Sequence, residues 1–251
     1  MTLMTLSPHK FQWRDGKRAA LSITFDDARQ SQVDRAIPIL NAHGVKGTFY
    51  VNPPNVKQRL YEWRRAVAAG HEIGNHSMTH PCSGNFRWSR HNALEDYTLA
   101  RIEADIERAN ETIRQMLDVT PCTFAYPCAQ KFVGRGEHVK SYVPLVARKF
   151  LAGRSGFDET PNDPTFCDLA QVLGVVVDRM TFEQIRPLFD DALEHGGWLI
   201  LVGHEVGDDA HQTWRAKTLE EICRFAQDPA NGLRVDTVAA VAAEVKSLRK
   251  W

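Results

Sequence analysis

With 251 residues, 43% of them hydrophobic and 25% charged, the chain can bury a full core and is too apolar to be disordered. Lys plus Arg and Asp plus Glu balance at 31 each, so nothing in the charge favours nucleic acid or an anionic membrane as a partner. Five cysteines (Cys82, Cys122, Cys128, Cys167 and Cys223) are odd in number, widely spread and without a C-x-x-C, which suggests neither a disulfide framework nor a thiolate zinc site and fits a reducing compartment.

Residues 1–17 lack a basic segment followed by an apolar run and a small-residue cleavage site, and no stretch approaches the roughly 18 apolar residues of a membrane span. A cytoplasmic protein with no membrane partner is therefore expected. Residues 1–18 read as an N-terminal extension and residues 19–251 as a single domain.

Ala19 to Phe25 is short, β-rich and ends in two aspartates, the pattern of a buried strand. Val33, Ile37 and Leu40 give a helix over 31–43 that Gly44 stops. A strand over 45–51 is closed by Pro53-Pro54, a helix over 56–69 ends at Gly70, and residues 71–75 form a short strand. A polar loop over 81–91 carries Phe86 and Trp88. The apolar spacing of Leu94, Leu99, Ile102, Ile106, Ile113 and Leu117 predicts one long helix over 92–117. Strands are expected at 121–126, 151–154, 171–177, 198–202 and 233–235. Helices are expected at 142–150, 181–195 with Gly196-Gly197 as the stop, 213–226, and from Asp236 onward.

The order is β-α repeated about seven times with short connections, which implies a parallel sheet with helices outside it. An open doubly wound sheet satisfies the pattern too. A closed barrel is favoured because Asp26-Asp27, His76, His80, Pro127-Cys128 and His204 all follow predicted strands, on the rim where α/β barrels place their chemistry.

His76 and His80 are four apart. In one helical turn both imidazoles would face one point, and neutral imidazole is the commonest protein ligand for zinc. Adjacent aspartates at a strand end diverge, so one can ligate while its neighbour reaches a water. In isolation, the His pair is more often coincidence and Asp-Asp more often a turn or cap.

Thr24-Phe25-Asp26-Asp27 together with Gly70-His71-Glu72-Ile73-Gly74-Asn75-His76-Ser77-Met78-Thr79-His80 resembles the polysaccharide deacetylases of the NodB-homology type, carbohydrate esterase family 4. The likeness runs from about Ala19 to His204. It implies a distorted (β/α)7 barrel and metal-dependent removal of acetyl from an N-acetylated sugar. By the same resemblance Asp27, His76 and His80 are metal ligands, Asp26 is the general base and His204 the general acid. The ligand set suits one divalent metal, zinc first, with cobalt or nickel fitting the same site.

The third motif diverges. Residues 124–129, Phe-Ala-Tyr-Pro-Cys-Ala, fall where the family carries an Arg-Pro-Pro-Tyr-Gly-like string, so Ala125 stands where an arginine steadies the base and Cys128 where a tyrosine lends its backbone N–H. Arg154, after a predicted strand, is a substitute for that arginine or a structural arginine. Pro127, Cys128 and Trp88 complete the candidate substrate contacts, with Phe86 and Trp88 as a stacking platform or packing aromatics. Asp178 is a weak candidate for the family's aspartate-tryptophan motif. His71, Glu72 and Asn75 read as supporting residues, Cys128 as a small packed one, and 135–138 as a loop that shapes the pocket or is solvated. Hydrolysis of an amide needs an activated water, a base and an acid for the departing nitrogen, which the metal site, Asp26 and His204 supply. The substrate is then an oligosaccharide or a small molecule. Two alternatives stand: an allantoinase-like hydrolase of cyclic imides or ureides, and a carbohydrate-binding relative without catalysis.

Overall fold

The computed structural model describes residues 10–249. Eight strands pair in parallel: β1 (Ala19–Asp26), β2 (Thr48–Val51), β3 (Glu72–Asn75), β4 (Thr123–Ala125), β5 (Ala152–Arg154), β6 (Val175–Val176), β7 (Trp198–Gly203) and β8 (Leu233–Val235). Their order is β5-β4-β3-β2-β1-β7-β6, with β8 beside the foot of β1. The ring closes just ahead of β6, where the Val172 N–H donates to Gly153 O and the Ser155 N–H to Val172 O, both at 2.8 Å. This is the distorted (β/α)7 barrel, not the open sheet.

Among the described residues the longer helices surround or cap it: α1 (Ile37–Ala42), α2 (Leu60–Ala68), α3 (Leu99–Leu117), α4 (Val143–Lys149), α5 (Phe182–His195), α6 (Ala216–Gln227) and α7 (Val238–Leu248). No helix among the described residues is long and apolar enough to cross a membrane.

Strand alternation sorts the side chains. Leu21, Ile23, Phe25, Phe49, Ile73, Leu199 and Leu201 pack outward with Trp63, Phe189 and Ile222 in the main core. The intervening Ser22, Thr24, Thr48, Tyr50, Glu72, Thr123 and Arg154 line a polar interior. Helix α7 plugs the amino-terminal end, packing on Ala20, Ala152, Trp198 and Ile200. Its first N–H groups donate to Thr48 Oγ1 and Glu72 Oε2, both at 2.9 Å. Glu72 is thus structural, at the end away from the candidate site. His71 is structural too: its Nδ1 accepts the Gly47 N–H at 3.1 Å, and burial, then Lys46, pulls its pKa down to about 4.

Several boundaries differ from the pattern. The long helix begins at Leu99, because residues 87–96 form 3-10 turns tied to the preceding loop: Leu94 N–H donates to Cys82 O and the Asn92 amide to Thr79 O, each at 3.0 Å. The expected 171–177 strand keeps only Val175–Val176, since Gln171 ends a 3-10 turn capped by Asp168. Thr213–Arg215 pairs with Glu205–Gly207 instead of starting α6. The stop at Gly196 holds, with φ 75°. Of the N-terminal extension, residues 1–9 lie outside the described residues, while Trp13 is buried and its Nε1 donates to Gly196 O at 3.0 Å.

Gly74 on β3 leaves room for the Tyr50 ring, since a Cβ there would meet ring carbons at 2.4 and 2.5 Å. Gly74→Ala should therefore lower stability by about 1–3 kcal/mol in a urea unfolding experiment. An unchanged midpoint would show that Tyr50 moves without cost.

Candidate functional site

Strand β1 ends on Asp26, and the chain then turns through two left-handed residues, Asp27 (φ 76°) and Ala28 (φ 51°). That turn separates the adjacent carboxylates. Asp26 stays in the barrel, where Arg154 Nη2 donates to its Oδ1. Asp27 Oδ1 faces His76 Nε2 at 3.6 Å and His80 Nε2 at 3.4 Å. Its second oxygen accepts from Arg29 Nε at 3.2 Å and Nη2 at 2.9 Å. Burial raises the Asp27 pKa, but His76, His80, Arg29 and His204 outweigh it and bring it down to about 2. Asp27 is therefore an anion turned toward two imidazoles.

The His-x-x-x-His segment is not the helical turn its spacing suggests. Ser77 (φ 65°) and His80 (φ 48°) are left-handed, and the loop they make brings the two rings to a centroid distance of 4.8 Å. Buried neighbours hold this loop. The Asn52 amide donates to His76 O at 2.6 Å and Ser77 O at 3.0 Å, and Asn75 Oδ1 accepts the Ser77 N–H at 2.6 Å. Asp105 on α3 accepts the N–H groups of Met78 (2.9 Å) and Thr79 (3.2 Å) and the Thr79 hydroxyl (2.9 Å).

His76 Nδ1 sits 2.9 Å from the Ala125 carbonyl, which can only accept, so Nδ1 carries a proton and Nε2 is the nitrogen turned toward Asp27. Burial and the nearby His76 pull the His80 pKa down to about 4, which leaves a neutral imidazole near pH 7. The donor atoms of Asp27, His76 and His80 lie within 4.8 Å of one another. Two imidazoles and one carboxylate suit a borderline divalent metal.

Arg154 pairs in ladder register with Ala125, Cα opposite Cα across β4 and β5. The guanidinium thus enters the site one strand over, at the level of the position where the resemblance leads one to expect it. It is 2% exposed, lies 4.9 Å from the Tyr50 ring centre, and its Nη1 donates to Ser155 O at 2.6 Å. Beyond β7, His204 Nδ1 meets Asp178 Oδ2 at 2.7 Å, and Asp178 Oδ1 accepts the His204 N–H at 3.3 Å. Burial opposes protonation of His204, but the Asp178 hydrogen bond, followed by the charges of Asp26, Asp178 and Asp27, prevails and raises its pKa. The Gln32 amide donates to Asp26 O at 2.5 Å and His204 O at 2.9 Å, tying the ends of β1 and β7 together.

These groups line one cavity of about 850 Å³, which includes Asp26, Asp27, His76, His80, Arg154 and His204. Trp88 (57% exposed) and Phe86 stand at its wall with ring centres 5.6 Å apart, Trp88 lying 6.1 Å from the His80 ring. The solvated reading holds for Arg135, whose Nη2 donates to exposed Asp96 at 2.7 Å, away from this cavity. Pro127 is buried beneath its turn and does not line the cavity.

Cys128 corrects the reading of the cysteines. It is disulfide-bonded to Cys82, 46 residues away, because the His80 loop and the turn after β4 meet at the rim. It is not merely a small packed residue, and the argument from unpaired cysteines for a reducing compartment no longer holds. The turn at 127–129 is left-handed at Cys128 (φ 52°) and Ala129 (φ 57°). Sequence reasoning also missed Arg29, Gln32, Asn52 and Asp105. Only Arg29, two residues after Asp27, left a local signal.

The polysaccharide deacetylase family model matches residues 14–133. A chitooligosaccharide deacetylase of Sinorhizobium fredii is 42% identical over 60 residues, 24% of this chain and 28% of that protein. The chain spans less than a third of the length of the first curated relatives it matches. A Mycobacterium smegmatis protein of known structure superposes with a TM-score of 0.67 at 19% identity, over 95% of this chain and 93% of the other. A family 4 acetyl xylan esterase from Clostridium thermocellum, solved with a cobalt ion, gives 0.59 at 21% identity over 91% and 92%. At these identities the superpositions establish the fold.

Asp105 does not touch the cavity's reactive groups but fixes the loop that carries both histidines. Asp105→Ala should weaken zinc binding by about 10–100-fold, as measured by competition with a chromogenic chelator. Unchanged affinity would show that the loop holds its shape without that carboxylate.

Proposed function

We propose, from the match of residues 14–133 to the polysaccharide deacetylase family model, that the chain is a metal-dependent hydrolase of a non-peptide C–N bond that removes acetyl from an N-acetylated amino sugar or oligosaccharide. The observation that carries this reading is the meeting, in one cavity, of the Asp27-His76-His80 donor set with two separately supported acid–base groups, Asp26 on Arg154 and His204 on Asp178.

Asp27, His76 and His80 would hold a divalent metal, zinc first, whose bound form supplies a more acidic water and polarises the acetyl carbonyl. Asp26 takes the water's proton. Arg154, whose Nη2 donates to Asp26 Oδ1, holds that carboxylate in place. His204 gives a proton to the departing nitrogen, and Asp178 fixes its ring with Nδ1 protonated, so that Nε2 does the transfer. Phe86 and Trp88 offer a flat apolar face to a sugar ring at the wall beside His80.

Acetate release from chitooligosaccharides by the zinc-loaded chain tests the reading, with allantoin, hydantoin and succinimide as the competing panel. Turnover of the cyclic compounds alone, or binding of sugar without acetate release, overturns it.

Arg154→Ala should lower kcat by about 10²–10³-fold, the order expected when a general base loses its positioning. Adding Ala125→Arg, one strand over in the same register, should restore at least part of the loss. No rescue with a folded double variant would mean that Arg154 acts otherwise than on Asp26.

The raised pKa of His204 keeps it protonated to higher pH, so kcat should fall as pH rises through that value. Asp178→Asn removes the leading stabiliser of the protonated ring and should move this alkaline limb to lower pH. An unmoved limb would assign the titration to another group.

A further inference from the structure

His80 presents its second ring nitrogen to sulfur. Its Nδ1 lies 3.6 Å from Cys82 Sγ, and the ligand atoms of His80, Cys82 and Cys128 all fall within 4.8 Å of one another. We propose that reduction of the Cys82–Cys128 disulfide opens a second, thiolate-rich metal site, formed by Cys82 Sγ, Cys128 Sγ and His80 Nδ1, that takes a thiophilic divalent cation such as zinc. The inference rests on the functional reading above in one respect only, that Nε2 of the same ring serves the first metal.

The backbones of both loops are held by hydrogen bonds as well as by the disulfide. Cys82 is fixed by its N–H donating to Ser89 Oγ at 3.1 Å and by its carbonyl accepting from Leu94 N–H at 3.0 Å. Cys128 belongs to the 127–129 turn, closed by the Ala129 N–H on Tyr126 O at 2.9 Å and the Gln130 N–H on Pro127 O at 3.0 Å. The two loops are joined a second time by the Ser83 N–H, which donates to Gln130 Oε1 at 2.6 Å. The cysteine Cα atoms are 6.0 Å apart. Two thiolates on one tetrahedral zinc, each at about 2.3 Å from it, are separated by roughly 3.8 Å, so a small opening of the sulfurs suffices. Disulfide sulfurs are poor ligands, whereas two thiolates and an imidazole form a Cys2His set with a position left for water.

The redox step takes a dithiol reductant. The S–S bond breaks, the dithiol closes to its own disulfide, and two electrons and two protons pass to Cys82 and Cys128. Binding would release the thiol protons and the His80 Nδ1 proton to solvent. His80 would supply one ring nitrogen to each donor set, so the redox state of a rim disulfide would act directly on a residue of the first site.

Cobalt(II) titration of the full chain, before and after reduction with a trialkylphosphine under anaerobic conditions, tests this. The phosphine takes the oxygen of one water and leaves two thiols. The oxidised chain should bind one equivalent without thiolate-to-cobalt charge-transfer absorption. The reduced chain should bind two and gain that near-ultraviolet band. Cys82→Ala/Cys128→Ala should bind one equivalent with no band, while Cys122→Ala, which removes an exposed thiol elsewhere, should leave the band intact. In His76→Ala/Asp27→Asn the first equivalent should vanish and the band remain, so failure of the hydrolytic site and failure of this one read differently. A single equivalent without the band in the reduced chain overturns the proposal. So does a band that survives the double cysteine variant, or loss of the native circular dichroism spectrum on reduction.

Discussion

Two consecutive carboxylates at the buried end of the central strand are the constraint around which this structure is arranged. A buried carboxylate without a partner costs several kcal/mol, so Asp26 and Asp27 each need partners of their own. The left-handed turn at Asp27 and Ala28 divides them: Asp26 goes to Arg154 inside the barrel, Asp27 to the two histidines and Arg29 at the rim. Once the two are separated, their chemistry differs as well. One faces a guanidinium inside the barrel, and the other faces two imidazoles and a guanidinium at the rim.

The barrel makes that division possible. Alternation along each short strand sends apolar residues to the helices and a column of Ser, Thr, Tyr, Glu and Arg side chains to the interior, so charged groups enter a core that is already polar. Glu72 and Thr48 turn this column to a second use at the far end, receiving the first N–H groups of α7 and closing the barrel away from the site. At the near end, six of the eleven described non-glycine residues with positive φ (Asp27, Ala28, Ser77, His80, Cys128 and Ala129) belong to the loops that carry or border the candidate ligands. Such conformations persist only where the surroundings over-determine them. Here the surroundings are named: Asn52, Asn75 and Asp105 behind the histidines, and the Cys82–Cys128 link beside them.

The sequence made legible what is local. Strand and helix periods, the Gly196 stop, the aspartate pair and the histidine pair all depend on residues within a few positions of each other. No helical turn forms at 76–80 because hydrogen bonds with Asn52 and Asp105, 24 or more residues away in sequence, set the shape of that loop. The helix expected at 92 starts seven residues later for a similar reason, the Leu94 N–H and the Asn92 side-chain amide being bonded to the 79–82 loop. Arg154 was visible as a strand-end arginine, but only the ladder pairing of Ala125 with Arg154 shows that it enters the site at that level. Asp178 gained meaning only when its carboxylate met His204. The disulfide joins loops that no spacing rule connects.

The central claim is that the carboxylates divide, with Asp27 and not Asp26 joining His76 and His80 around a metal. Crystals of the zinc-loaded chain, with anomalous diffraction collected across the zinc edge, address it directly. The account predicts one anomalous peak within about 2.0–2.2 Å of Asp27, His76 Nε2 and His80 Nε2, with Asp26 still on Arg154. A peak ligated by Asp26, or one outside this cavity altogether, would contradict it.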